Sequence, residues 1–188
     1  AFPIAFFNIS YSYLPSHEAQ HDIYARPGDK LRWLNELIGH ASVIPLVSSY
    51  RVLKMTHLEH HKHTNNPDLD PDYDTHAPSA LAALWKALKA RNPKSEFLDS
   101  YEKTLDRLDP DQAGLAKRDG IIINLTYLAV LFVMAATGHA LEAFLLWVLP
   151  LVLALVYIRF FLAWAPHHPG HETGRYRDTR AFKSLFGV

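Results

Sequence analysis

Two stretches in the C-terminal half of this 188-residue chain leave few choices of fold. Residues 121–137 (IIINLTYLAVLFVMAAT) contain no ionisable side chain. Residues 143–163 (AFLLWVLPLVLALVYIRFFLA) contain one, Arg159, close enough to the end to snorkel to a polar boundary. A bilayer core about 30 Å thick is crossed by about 20 apolar residues in helical form, so both stretches are long enough to span it. The alternative is a pair of buried core helices in a soluble bundle, but neither stretch shows a polar face at helical period. The short GHALE segment, 138–142, separates them and makes residues 121–163 a transmembrane helical hairpin.

Charge organises the rest. Residues 54–118 carry ten Lys or Arg, the tail after Ala163 carries four more, and the hairpin tip carries none. By the positive-inside rule the polar region 54–119 and the tail 164–188 are cytoplasmic and the tip lies on the opposite side. Gly39, His40, Ser42, Pro45, Ser48 and Ser49 interrupt residues 34–52, which predicts an interfacial segment instead of a crossing one. The chain opens without Met on AFPIAFFNISYSYL, which lacks the basic start of a signal peptide. Residues 1–14 are therefore expected to be the end of a truncated membrane span in a longer protein. Helices are expected at 81–90 and 96–108, with breaks at Asn92-Pro93 and Asp109-Pro110. The predicted architecture is all-α in a single, partial domain over 1–188. It is an integral membrane helical bundle with a cytoplasmic helical cap.

With 19 basic and 19 acidic residues, the chain has no charge excess that would suit nucleic acid. It has no cysteine, which excludes disulfides, thiolate zinc sites and Fe–S clusters. Histidine is the anomaly: of twelve, nine fall at 17–21, 57–63 and 167–171. His17 and His21 are spaced i, i+4, one turn apart on one helical face. Alone, HEAQH is the H-E-x-x-H string of a zinc metalloprotease, with His17 and His21 as ligands and Glu18 as base. In HLEHHKH, His57, His60 and His61 stand at i, i+3 and i+4 and form one stripe, while His63 falls roughly 120° from His57. Imidazoles packed so closely repel on protonation, and without a metal the arrangement has little structural purpose. In PHHPGH, His167 and His171 are four apart, but Pro166 and Pro169 argue against a regular helix, and His168 could replace either.

By the sidedness above, all three groups face one side of the membrane. Their seven or eight imidazoles are too many for one zinc, which takes four ligands, and suit two metal ions. Imidazole binds iron, copper, zinc and nickel alike. An all-nitrogen dinuclear site beside apolar spans suits activation of O2 against an unreactive C–H bond of a lipid, which favours iron. Asp68, Asp70 and Asp72 follow the second group. They either cap turns or accept the second N–H of a ligand histidine, fixing its tautomer. Pro67, Pro71 and the missing Gly and Glu separate this run from an EF-hand loop. His40 and His76 stand alone and read as surface or capping residues; His139 lies at the hairpin tip.

HEAQH, HLEHHKHTNNPDLDPD and WAPHHPGHETGRYRDTR, with the hairpin between the last two, resemble the membrane fatty acid desaturase superfamily. That group includes acyl-lipid desaturases and carotenoid hydroxylases and ketolases, and the resemblance covers nearly the whole chain. It implies a non-haem di-iron oxidoreductase of lipid metabolism with two iron ions and O2 as co-substrate. Its electrons would come from a ferredoxin or cytochrome donor. On this resemblance His17, His21, His57, His60 and His61 match the histidine-box ligands, and His167 and His171 resemble the extra pair after the last spanning helices. No catalytic residue beyond the metal ligands is implied. The family's final HxxHH box is absent, which truncation explains. The fragment then lacks up to three ligands and is expected neither to hold a complete di-iron site nor to turn over. O2-dependent desaturation or hydroxylation of a fatty acyl chain is the leading expectation, and carotenoid hydroxylation or ketolation the second. The rivals from other classes are the zinc protease and a metal transporter. The transporter would need ionisable residues at mid-depth in the spans, and there are none.

Overall fold

Every described residue in regular structure is helical, as the long apolar runs and the i, i+4 patterns require. The computed structural model describes residues 1–90, 92, 95–174 and 177–180. Pro93 of the expected break, and residues 181–188 of the expected tail, lie outside these described residues. In chain order the helices are α1 (Phe2–Gln20), α2 (Arg32–Val43), α3 (Tyr50–His63), α4 (Ala80–Lys89), α5 (Glu96–Asp106), α6 (Pro110–Ala136) and α7 (Ala140–His167). A 3-10 turn, Tyr73–Thr75, precedes α4. Two compact units share them, residues 1–58 with 105–155 and residues 59–104 with 156–188.

In the first unit α6 starts well before the apolar run at Ile121. The Asp109 carboxylate caps it by accepting from the Gln112 backbone N–H at 2.9 Å, and Pro110 sits where a missing N–H costs nothing. It ends in a Schellman turn: Gly138 takes φ +86°, and His139 and Gly138 N–H groups donate to Met134 O (2.7 Å) and Ala135 O (3.1 Å). The hairpin turn is therefore tighter than the GHALE segment suggested, because α7 resumes at Ala140. α6 and α7 are both long and apolar enough to cross a bilayer. Ile121, Leu125, Leu128, Phe132 and Val133 on α6 are exposed, an apolar surface of the kind that lipid covers.

α1 and α2 pack together, and the end of α1 is held by buried polar groups. Ala19 O, at the end of α1, accepts from the Asp22 backbone N–H (3.1 Å), from Asn35 Nδ2 (2.9 Å) and from the Tyr50 hydroxyl (2.8 Å). Asp22, at φ +59°, accepts from Arg32 Nη1 and from Lys54 Nζ. Trp147 Nε1 of α7 donates to Pro45 O (3.0 Å), and its ring meets Tyr127 edge-on at 4.9 Å.

In the second unit the loop between α3 and α4 is built from side-chain caps. Asn65 adopts φ +64°, and Asn66 Oδ1 accepts from the backbone N–H groups of Asp68 (2.9 Å) and Leu69 (3.1 Å). The loop is fastened to the last part of α7, where Arg159 donates to Asp74 and Trp164 Nε1 donates to Ala77 O at 3.1 Å. Arg159 also stacks its guanidinium over Phe97 of α5 at 4.3 Å.

Gly39 is closely packed, since a Cβ there would come 2.4 Å from the Tyr50 ring. Gly39→Ala should displace Tyr50 from Ala19 and cost roughly 1–3 kcal/mol, the usual range for overpacking. A lower thermal midpoint in detergent checks this, and an unchanged midpoint contradicts it.

Candidate metal centres

The first histidine group sits at the end of α1, where the network around Ala19 and Asp22 fixes the backbone. His17, His21 and His57 converge: their ring centroids lie 4.7–4.9 Å apart, all edge-on. His21 Nε2 and His57 Nε2 are 3.0 Å apart. Each of the three offers one nitrogen within 4.8 Å of the others. Glu18 lies 3.1 Å from His17 Nδ1. A carboxylate only accepts, so Nδ1 carries the proton and Nε2 is left with its lone pair. Burial, then the neighbouring His17, lowers the pKa of His21 and favours the neutral, metal-binding form. His61 lies one helical turn beyond His57 on α3 and is exposed.

The second unit brings His60 together with His167. His60 Nδ1 donates to Asp70 Oδ1 at 2.7 Å, and His167 Nδ1 donates to Asp178 O at 2.7 Å. Both acceptors lack a proton, so both histidines are protonated on Nδ1, and their Nε2 atoms face each other at 3.2 Å. With both imidazoles neutral, the two Nε2 atoms present lone pair to lone pair; a proton on His60 Nε2 donated to His167, or a metal ion, satisfies the contact. The donor set thus fits a metal of the imidazole-binding kind. A cavity of about 10 Å³, lined by His60, Asn65, Asp70, His76, Trp164 and His167, adjoins the pair and has room for about one water.

Asp70 is buried and holds this arrangement. Besides His60 it accepts from the backbone N–H groups of Asn65 (2.8 Å) and Asp72 (2.9 Å). Asp72 also accepts from the Tyr101 hydroxyl at 3.0 Å, and Asp68 is exposed. Burial acts to depress the pKa of His60, but the bond to Asp70 and the charges of Asp72, Asp70 and Asp178 outweigh it, so the net direction is upward.

The stripe expected from His57, His60 and His61 divides in the structure. His57 meets His21, whereas His60 meets His167. At about 100° per residue, His60 and His61 lie on opposite sides of His57, so one helix offers imidazoles in two directions. His63 lies apart, 3.6 Å from Glu59. In the third group α7 continues through Pro166 and ends at His167; His168 is extended and the chain then turns, with Gly170 at φ +75°. His168 packs against Trp164 with the rings tilted at 4.6 Å, and His171 is exposed with its ring 6.1 Å from His76. His40 packs on Tyr50 at 4.9 Å, and His139 lies 3.3 Å from the Thr137 hydroxyl.

His76 is the residue that spacing did not single out. It lines the cavity, and its Nε2 is buried without a hydrogen-bond partner. The backbone of Gly170, at φ +75°, lies over it so closely that a Cβ would fall 1.2 Å from Nε2. Its loop position carries no helical periodicity, so only the folded loop reveals it. The buried Arg159–Asp74 pair was also unmarked in sequence. Burial pushes the Asp74 carboxyl up to about 6, against the opposing pull of Arg159.

The fatty acid desaturase family model matches residues 1–186. The chain is similar to an sn-1 oleoyl-lipid 12-desaturase of Anabaena variabilis, 36% identical over 35% of this chain and 19% of the relative. It is also similar to an sn-1 acyl-lipid omega-3 desaturase (ferredoxin) of Nostoc sp. (strain 36), 40% identical over 28% of this chain and 15% of the relative. A zeaxanthin 4-ketolase of Chlamydomonas reinhardtii is 25% identical over 88% of this chain and 32% of its own length. The matched part thus spans a third or less of each of these relatives. No solved structure matches significantly.

Asp70→Asn should weaken metal binding by about 10–100-fold, as loss of a ligand-orienting carboxylate does; metal titration of the purified chain measures it. A second outcome follows from Asp74. Its folded pKa of about 6 exceeds the unfolded 3.8, so the native chain holds the proton between those values while the unfolded chain releases it. This group's contribution to stability therefore grows as pH falls from 6 to about 4. Wild type should gain thermal stability relative to Asp74→Asn across that window, and parallel profiles would contradict the assignment.

Proposed function

The chain belongs to the fatty acid desaturase family, and on that premise we propose that it carries metal ligands of a membrane-bound, non-haem di-iron oxidoreductase. The proposed reaction is O2-dependent desaturation or hydroxylation of a fatty acyl chain or related lipid. The observation that carries this reading is the facing pair His60 Nε2 and His167 Nε2, each with its other nitrogen donating a proton elsewhere. Within a family-matched chain, that geometry supports a metal ion held by the two Nε2 atoms.

One iron would be held by His17, His21 and His57, with His61 next on the α3 stripe; the other would be held by His60 and His167. His171 stays a candidate for the second, with His168 in reserve. When bound, iron supplies the redox chemistry that activates O2 against an aliphatic C–H bond. In desaturation the acyl chain loses two hydrogens, and O2 with two electrons and two protons from a donor leaves as two waters. The protein's own part is positional. Asp70 and the Asp178 carbonyl keep the protons of His60 and His167 on Nδ1, and Glu18 does so for His17. α6 and α7 would bring these ligands beside the lipid that holds the substrate.

The charge distribution supports a cytoplasmic position for the histidine groups, with ten and four basic residues on the flanking segments and none at the tip. The electron donor is proposed to be a ferredoxin or cytochrome type; the ferredoxin in the name of the Nostoc relative favours the former. A second reading, carotenoid ketolation or hydroxylation, is favoured by the ketolase similarity extending over 88% of the chain. H-E-x-x-H proteolysis is less well supported, since Glu18 is engaged with His17.

Expression of the complete gene in a host that makes both unsaturated lipids and carotenoids, followed by mass spectrometry, separates these readings. New acyl double bonds or hydroxyls support the first, and oxygenated carotenoid rings support the second. Two irons per chain are expected, with His60→Ala removing product. One zinc with peptide hydrolysis, or unchanged product in His60→Ala, overturns the site assignment.

A further inference from the structure

α4 buries the wrong side for a helix surrounded by water. Its inward stripe is Ala83, Ala87 and Ala90, 3%, 6% and 5% exposed, and this small-residue face packs on the Arg159–Trp164 segment of α7. The opposite stripe is Leu81, Trp85 and Leu88, 80%, 60% and 51% exposed. These three are spaced i, i+4 and i+7, so they form one continuous apolar ridge. A water-facing amphipathic helix would turn this ridge inward and leave alanine or polar residues outside. No acidic residue occurs in α4, and its two charges are Lys86 and Lys89. Lys89 places its ammonium over the Trp85 ring at 4.5 Å, and Lys86 donates to Asp74 O at 3.1 Å. An amphipathic ring with cations at its edge is the composition that favours a membrane boundary.

We infer that α4 is a membrane-surface helix, seating Leu81, Trp85 and Leu88 at the headgroup–acyl boundary of an anionic bilayer. Two features select lipid as the occupant. The ridge is carried by a helix packed on the Arg159–Trp164 end of α7, the part of that helix that leaves the bilayer on the spanning reading. Its only charges are positive and complement anionic headgroups. The inference rests on the reading of α7 as membrane-spanning. It adds a contact between bilayer and protein beside the loop that holds Asp70 and His76, since Lys86 and Asp74 join α4 to that loop.

The absence of cysteine allows single-site labelling of the full chain without background. Spin labels at Leu81→Cys, Trp85→Cys and Leu88→Cys would be read in nanodiscs of phosphatidylcholine with phosphatidylglycerol, using O2 and a water-soluble relaxing agent as opposed probes. Glu102→Cys on α5 serves as the water reference and Leu128→Cys on α6 as the lipid reference. Labels at 81, 85 and 88 are expected to favour O2, as Leu128 does, and to shift toward water when phosphatidylglycerol is omitted. Water-type accessibility at those three with lipid-type accessibility at Leu128 overturns the α4 inference alone. Water-type accessibility at all four overturns both it and the spanning assignment. Indifference to headgroup charge overturns the anionic preference.

Discussion

The Nε2 atoms of His60 and His167, held 3.2 Å apart, can share a proton or hold a metal ion, and the protein fixes both rings from behind. His60 is fixed from behind by Asp70, and His167 by the carbonyl of Asp178. Asp70 is in turn fixed by the backbone of Asn65 and Asp72, and Asn65 also donates through its side chain to Glu172 O at 2.7 Å. The left-handed Asn65, the Asx turn at Asn66 and the fastening of the loop to Arg159 and Trp164 serve one end. They hold the two imidazoles in place, so that a metal ion would find its ligands already placed.

The first unit reaches the same end by different means. There the carbonyl of Ala19, between the two histidines of α1, is gripped by Asn35 and Tyr50. Asp22 links the residue after His21 to Lys54, one turn before His57. Rigid backbone on both sides of the cluster replaces the carboxylate–imidazole bond as the main positional device, and Glu18 supplies such a bond only to His17.

The helices were legible because their causes are local. The Asp109-Pro110 break, the apolar runs of α6 and α7, and the i, i+4 spacing of His17 and His21 can each be read from neighbouring residues. The choice of Asp70 among three aspartates was not legible, since Asp70 and Asp72 differ in what the folded loop places before them: His60 for one, Tyr101 for the other. The division of labour within HLEHHKH was hidden for a related reason. Spacing gives angles around α3, but the partners that separate His57 from His60 come from distant parts of the chain. His76 had no pattern at all, and its place beside the cavity depends on Gly170 coming from far along the chain.

α7 contains two π-helical stretches, Phe144–Val148 and Arg159–Trp164. Such a stretch absorbs one additional residue while the flanking turns keep their orientation. Evolutionary length change is therefore asymmetric along this helix. Loss of one residue within Arg159–Trp164 can be taken up by reversion to ordinary α-helix, leaving His167 aimed as before. Loss of one residue from the regular turns of Leu149–Ile158 has no such outlet and would rotate everything after it by about 100°. The segment nearest the second candidate centre is thus one where a single-residue deletion would leave the imidazole direction intact.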